Sequence, residues 1–189
     1  MLAVVGFIAA AGCAGDGARN DFRQAGSGSG SGGIDLNGAG ASFPYPPYTK
    51  WVGTYADQKG VRINYQGVGS GAGVQQLSEG TVDFGATDGP MTDAEMAKAK
   101  GGAILHIPMI LGADVVTYNV PGITQPLRLA GDVVADIFLG KITRWDDARI
   151  TATNPGTSLP ARDILVVHRA DGSGTTYVFT DYLSAVSPA

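Results

Sequence analysis

The order of strand, glycine-rich turn and helix recurs three times along the chain and constrains its fold more than any other feature. Alternating apolar residues over 61–68 predict a strand, and the glycine-rich run 69–73 predicts a turn into a short helix. The other two units are a strand end and turn over 36–43 before a helix over 44–57, and a short buried strand over 164–167 before a helix over 176–184. Repeated units of this kind predict an α/β fold, in which ligands bind at the carboxyl ends of the strands.

Every one of these turns carries a hydroxyl side chain close to the start of a helix: Ser42, Ser70, and Ser173 with Thr175. The first turn of a helix has unpaired N–H donors and a partial positive charge, which suit an anion. Arg169 adds a cation beside the third turn, and Asp88 ends a further predicted strand over 81–88. The combination predicts a pocket of hydrogen-bond donors around a tetrahedral oxyanion.

Asp171 lies inside the third turn, where a carboxylate would repel an anion unless it pairs with Arg169. The alternative for this turn is an ordinary connection in which Ser173 caps the helix. Taken alone, the turn supports both interpretations equally.

Other kinds of site have little support in the sequence. There is no GxxxxGK[ST] motif for nucleotide hydrolysis and no GxSxG turn, and His168 and Arg169 would alternate to opposite faces of a strand. Two histidines and one cysteine without close spacing do not predict a metal site. The net charge of −4, with no cluster of Lys and Arg, gives no electrostatic footprint for nucleic acid.

The N-terminus predicts a lipoprotein-type signal segment over 1–13. An apolar run ends at Cys13, and the sequence AAGC at 10–13 resembles the lipobox of bacterial lipoproteins, whose cysteine is lipidated. No Lys or Arg precedes the run, so we expect the true start to lie upstream of Met1. The alternative is a buried apolar segment with a structural thiol. Residues 14–33 are rich in Gly and Ser and predict a flexible tether.

Six motifs between about Ile34 and Ala189 resemble the periplasmic phosphate-binding proteins of phosphate ABC transporters. In chain order they are GAGASFPYPPYTKW, NYQGVGSGAGVQQL, TVDFGATDGPMT, FLGKITRWDD, TNPGTSLP and VVHRADGSGTTYVFTDYL. The resemblance implies a two-lobed periplasmic-binding-protein fold of the type II kind. We expect lobe I to occupy 34–112 and lobe II to occupy 113–189, with the extended apolar segment 103–120 crossing between them.

The resemblance also implies a set of phosphate ligands: Ser42, the backbone of Phe43, Ser70, Asp88, Arg169, Ser173, the backbone of Gly174, and Thr175. Asp171 matches the family residue that pairs with the ligand-binding arginine. Asp88 has a physical role in this set because a carboxylate only accepts hydrogen bonds. It can therefore receive the proton that phosphate carries and that fully ionised sulfate lacks.

The function implied by the resemblance is high-affinity binding of inorganic phosphate and its delivery to the permease subunits of an ABC transporter. The implied location is the periplasm or the outer face of the cell membrane, with a lipid anchor on Cys13. No catalytic residue, cofactor, metal or nucleic acid is expected. Two alternatives stay open, a phosphatase-like enzyme on the same scaffold and a receptor for another tetrahedral oxyanion.

Members of this family are considerably longer than 189 residues. The chain is therefore expected to be a fragment that lacks the C-terminal part of both lobes. On its own it is expected to bind phosphate weakly or not at all, because a partial sheet leaves unpaired edges.

Overall fold

Three strands and six helices make up the regular structure of residues 33–187, the part of the chain that the computed structural model describes. In chain order they are β1 (Asp35–Gly40), α1 (Tyr45–Lys59), β2 (Arg62–Gly67), α2 (Ser70–Glu79), β3 (Phe84–Ala86), α3 (Asp93–Met96), α4 (Gly131–Phe138), α5 (Ala148–Thr153) and α6 (Gly174–Val186). The predicted signal segment 1–13 and tether 14–33 lie outside the described residues, apart from Gly33. The predicted α/β class is confirmed, whereas the division into lobes at 112 stays a prediction.

The three strands form one parallel sheet in the order β2-β1-β3. Leu36 lies opposite Ile63, and Gly38 lies opposite Phe84. Parallel strands need a crossover connection: α1 joins β1 to its neighbour β2, and α2 joins β2 to β3 on the other side of β1. All three strands therefore end at the same edge, and the turns that follow them meet there.

A direct backbone contact sets α2 against the sheet. A Cβ atom built at Gly73 would lie 2.4 Å from the Cα of Gly40, which no side chain could tolerate. The absence of a side chain at Gly73 thus lets the first turns of α2 approach the end of β1, which brings the start of this helix to the carboxyl edge of the sheet.

Tyr65 is the central side chain between the sheet and α1. It is 3% exposed, its ring stacks on Phe84 with centroids 6.0 Å apart, and it meets the edge of Tyr48 at 5.0 Å. Its hydroxyl donates to the carbonyl oxygen of Ala41 at 2.6 Å. This bond ties the turn after β1 to the side chain beneath it.

A cluster of aliphatic side chains forms a second core around α4 and α5. Its buried members are Val133, Ile137, Ile142 and Ile150. Val133 and Ile137 stand four residues apart and so share one face of α4. Helix α6 packs against α4, with the rings of Phe138 and Phe179 edge to face at 4.8 Å.

The short buried strand predicted for 164–167 is wrong. No strand of the described residues pairs with this run, whose neighbour Asp163 makes only an isolated bridge to Arg144. The run packs one face on the aliphatic cluster through Ile164 and Val166, and Leu165 is 87% exposed. An apolar run predicts that its side chains are buried, but it does not determine whether neighbouring strands or helices bury them. Here the cluster around α4 and α5 covers one side of the run only.

Residues 103–120 contain no helix or strand and are mostly exposed. The absence of a helix agrees with the extended segment predicted there. Within the described residues, no helix is long and apolar enough to cross a membrane.

Candidate functional site

The turns after β1, β2 and β3 place Ser42, Ser70 and Asp88 at one edge of the sheet. Ser70 opens α2 and is buried, and its Oγ accepts a hydrogen bond from the backbone N–H of Asp88 at 3.3 Å. The turns themselves are fixed by backbone bonds: Ala41 donates to the carbonyl oxygen of Ala86 at 2.8 Å, and Gly69 donates to that of Gly40 at 2.9 Å. Backbone hydrogen bonds therefore hold these turns against the ends of the strands.

Ser42 does not cap α1, because the N-cap residue is Pro44 and no side chain caps this end. The Oγ of Ser42 instead accepts a hydrogen bond from Nη1 of Arg169 at 3.3 Å. The two residues are 127 positions apart in the chain, so this contact joins the first strand-to-helix unit to the arginine-bearing loop.

The start of α6 lies against the other two turns. Thr175 donates from its hydroxyl to Oδ2 of Asp88 at 3.2 Å. A Cβ atom at Gly174 would lie 2.3 Å from Oγ of Ser70, so the backbone of α6 approaches that hydroxyl closely. Ser173 is buried and is the N-cap of α6, accepting from the N–H of Thr176 at 3.1 Å.

Arg169 and Asp171 form a two-pronged ion pair in the loop before α6. Nε of Arg169 donates to Oδ1 of Asp171 at 2.8 Å, and Nη2 donates to the other carboxylate oxygen. These bonds hold the pKa of Asp171 below its usual range, and the carboxylate raises the pKa of Arg169. Both groups are ionised at neutral pH, and the negative charge of Asp171 is paired with the positive charge of Arg169.

Two aromatic side chains border this cluster. The ring of Tyr177 contacts the Asp88–Gly89 turn, since a Cβ atom at Gly89 would lie 2.7 Å from it. Burial raises the pKa of the Tyr65 phenol, with further contributions from Tyr48 and Asp88. Tyr177 lies in the helix predicted over 176–184, and no local pattern in the sequence indicates its contact with Gly89.

The structure brings most of the predicted ligand residues into one cluster, through hydrogen bonds and close approaches. The members of the cluster are Ser42, Ser70, Asp88, Arg169, Ser173, Gly174 and Thr175. Phe43, predicted to bind through its backbone, directly follows Ser42 in the chain, and its half-exposed ring contacts Gly112. Among the described residues, no group of three His, Cys, Asp or Glu could hold a metal ion. The cluster offers one cation, several hydroxyl and amide donors, and one carboxylate acceptor.

Comparison with known proteins gives consistent matches. The family model described as the PBP superfamily domain matches residues 24–189. Phosphate-binding protein PstS of Pasteurella multocida is 51% identical over 153 residues, which cover 80% of this chain and 44% of that protein. The PstS proteins of Haemophilus influenzae and Methanocaldococcus jannaschii are each 46% identical, over 80% and 82% of this chain and 45% and 41% of their own lengths. The chain thus spans less than half the length of these curated relatives.

Two solved structures share the fold at low sequence identity. A putative phosphate ABC transporter substrate-binding protein of Clostridium perfringens, solved with bound phosphate, aligns with a TM-score of 0.57 at 20% identity, over 79% of this chain and 56% of that one. An ABC-type phosphate transport receptor of Vibrio cholerae aligns with a TM-score of 0.52 at 21% identity, over 79% and 55%.

Proposed function

The chain belongs to the PBP superfamily, and from that premise we propose that it binds inorganic phosphate and delivers it to the permease subunits of an ABC transporter. The names of its relatives support phosphate as the ligand. The proposal assigns the binding of phosphate to the cluster at the carboxyl edge of the sheet and involves no covalent chemistry.

One observation carries the proposal. Four separate stretches of the chain meet at one place, through the bond from Arg169 to Ser42, the bond from Thr175 to Asp88 and the bond from the N–H of Asp88 to Ser70. Three of the stretches are strand-end turns or helix starts, where backbone N–H groups are available to an anion. A guanidinium beside such donors favours a small oxyanion, because it supplies both charge and directed hydrogen bonds.

Asp88 gives the proposed site its preference for phosphate. A carboxylate only accepts hydrogen bonds, and phosphate at neutral pH retains a proton that it can donate to Asp88. Sulfate has no proton, so its oxygen would face the carboxylate as a second acceptor, a mismatch that costs about 1–3 kcal/mol. The selectivity would then come from an unfavourable pairing with the wrong ligand.

Titration calorimetry on the protein from its complete reading frame tests the proposal. We expect phosphate binding by the wild type and an increase in Kd of about a hundredfold or more in Arg169→Ala, because a charged hydrogen-bonded partner of the ligand is lost. Arg162→Ala is the matched control, since Arg162 is exposed and outside the cluster. A wild type without phosphate binding, or an Arg169→Ala variant with unchanged Kd, would overturn the proposal. Turnover of p-nitrophenyl phosphate by the wild type would favour the phosphatase-like alternative instead.

Asp88→Asn should relax the discrimination between phosphate and sulfate by about ten- to a hundredfold, since an amide can donate to sulfate. The ratio of the two Kd values, measured by competition, checks this expectation. Asp57→Asn on the exposed side of α1 is the control and should leave the ratio unchanged. An unaltered ratio in Asp88→Asn would assign the selectivity to other residues.

The proposed location is the periplasm or the outer face of the cell membrane, with a lipid anchor on Cys13. The apolar run before Cys13 and its AAGC letters support this part of the proposal, and Cys13 lies outside the described residues. Metabolic labelling with a radioactive fatty acid should mark the wild type and leave Cys13→Ser unlabelled. Equal labelling of both would contradict the anchor.

A further inference from the structure

The turn that opens α2 is in direct backbone contact with the loop that carries Arg169. The N–H of Gly71 donates to the carbonyl oxygen of Gly172 at 2.8 Å. A Cβ atom at Gly71 would lie 3.2 Å from both the Cα and the oxygen of Gly172. Two glycines from distant parts of the chain therefore meet backbone to backbone, and any side chain at Gly71 would press on the loop.

Gly69 makes the closer approach, and it does so to a side chain. A Cβ atom there would lie 2.6 Å from Oδ2 of Asp171 and 3.7 Å from Nη2 of Arg169. The carboxylate of Asp171 thus fills the space that an ordinary residue at position 69 would need. The φ angle of Gly69 is 96°, so this position favours glycine for its backbone as well.

The contact with Gly69 reaches the arginine through its partner. Asp171 holds Nε and Nη2 of Arg169, and Nη1 extends to Ser42. Because the guanidinium is planar and rigid, a displacement of the carboxylate turns all its nitrogens together. The direction of Nη1 therefore depends on where Asp171 rests.

We propose that Gly69 and Gly71 are positioning residues that seat the Asp171–Arg169 pair, so that the arginine faces the proposed phosphate site. The inference rests on the proposed function and adds to it residues that the ligand set does not contain. Gly69 acts through the carboxylate of Asp171 and Gly71 through the backbone of Gly172, and the α2 turn and the arginine loop fit together because neither glycine carries a side chain.

Other glycines of the chain provide matched controls. Gly80 also has a positive φ angle, 73°, and Gly53 also lies inside a helix, but a Cβ atom at either would have no atom within 4 Å. Gly69→Ala and Gly80→Ala both place alanine at a positive φ angle, with ψ of 149° at Gly69 and 27° at Gly80, and only the first disturbs the contact with Asp171. Gly71→Ala and Gly53→Ala share the helical backbone and differ in the contact with Gly172.

The experiment measures the phosphate Kd of these four variants in the protein from its complete reading frame, with urea unfolding to confirm that each is folded. We expect Gly69→Ala to raise Kd about thirtyfold and Gly71→Ala about fivefold, since a misplaced charged group loses much of its interaction. Both controls should stay within about twofold of the wild type. If Gly69→Ala proves too unstable, the milder Gly71→Ala decides the comparison.

Two further readouts separate positioning from general destabilisation. The Nε–H signal of Arg169 in NMR spectra without phosphate should shift in Gly69→Ala and stay in place in Gly80→Ala. In an Asp171→Ala background, Gly69→Ala should raise Kd no further, because the contact it disturbs is already gone.

An unchanged Arg169 signal, or additive effects on Kd in the double variant, would overturn the inference while phosphate binding by the wild type stood. A wild type that binds no phosphate would instead overturn the proposed function and, with it, the role of the two glycines in binding.

Discussion

Two regions of the molecule reach close packing by different means. The sheet region, residues 34–89, buries small residues and one aromatic ring, Ala39, Ala41 and Tyr65. The helical region, residues 129–167, buries branched aliphatic side chains from α4, α5 and the segments beside them. In the first region backbones approach one another directly, and in the second region side chains fill the space between elements.

The difference explains how the candidate site is divided between them. The sheet region supplies the turns with Ser42, Ser70 and Asp88, which backbone hydrogen bonds hold in place. The run before Arg169 rests instead on the aliphatic cluster, through Ile164 and Val166. The run that leads to Arg169 is therefore positioned by side-chain packing before the loop meets the turn that opens α2, whereas Ser42, Ser70 and Asp88 lie on turns held by backbone bonds.

The largest expected effect comes from the aliphatic cluster. Ile150 is completely buried, and Ile150→Ala should lower the free energy of unfolding by about 3 kcal/mol, because it leaves a cavity among side chains that cannot close around it. Urea unfolding measures the loss. Ile107→Ala makes the same change at a position that is 66% exposed and should cost far less. Equal losses in the two variants would show that the helical region does not depend on its packing.

Tyr65→Phe is the corresponding change in the sheet region. It removes the hydroxyl that donates to the carbonyl oxygen of Ala41 while keeping the ring, and should cost about 1 kcal/mol. Tyr55→Phe on the exposed side of α1 is the control and should be nearly neutral. A loss as large as that of Ile150→Ala would mean that one polar bond matters as much to the sheet region as a filled cavity does to the helical region.

The same residue predicts a pH dependence. Because the pKa of Tyr65 is raised in the folded protein, the neutral phenol is favoured there, and its contribution to stability is complete below the pKa of the unfolded chain, about 10. Stability should therefore fall as the pH rises above about 10. Tyr65→Phe should lose less stability over that range than the wild type, and an equal loss would contradict the assignment to Tyr65.

The sequence predicted the sheet region well because local patterns decide its elements. The helix predicted over 44–57 is α1, and the alternating strand predicted over 61–68 is β2. Glycine-rich turns and alternating apolar residues act over a few positions, so they can be recognised without knowing the rest of the fold.

The helical region and the joining contacts were harder to predict for a physical reason. The run 164–167 has the composition of a buried strand. It forms a strand only if another strand pairs with it, and none of the described strands does. Gly69 was predicted as part of a turn, and glycine is common in turns, so nothing at this position called for a second explanation. Its contact with Asp171 depends on a residue about a hundred positions away, which no local pattern records.

Ion pairs allow a finer comparison of the two regions. Arg149 donates to Asp132 at 2.7 Å and also to Asp136, which Lys141 contacts at 3.2 Å. The hydrogen bonds from Arg149 and Lys141 lower the pKa of Asp136, so the network contributes above the unfolded-state pKa of about 4 and is lost as the pH falls below it. Arg149→Ala should lower the urea midpoint at pH 7 and have less effect at pH 3. The same loss at both pH values would exclude the network as its cause.

Arg62→Ala should have the smallest effect of all. Arg62 and Asp35 pair across β1 and β2 with a nitrogen–oxygen distance of 2.6 Å, but about 60% of each side chain is exposed. Water and salt screen such a pair, and ordering two exposed side chains offsets much of its attraction. We therefore expect no change in the urea midpoint at physiological salt and a slight decrease at low salt. A clear loss at physiological salt would mean that the pair, and not only the backbone ladder, aligns β1 with β2.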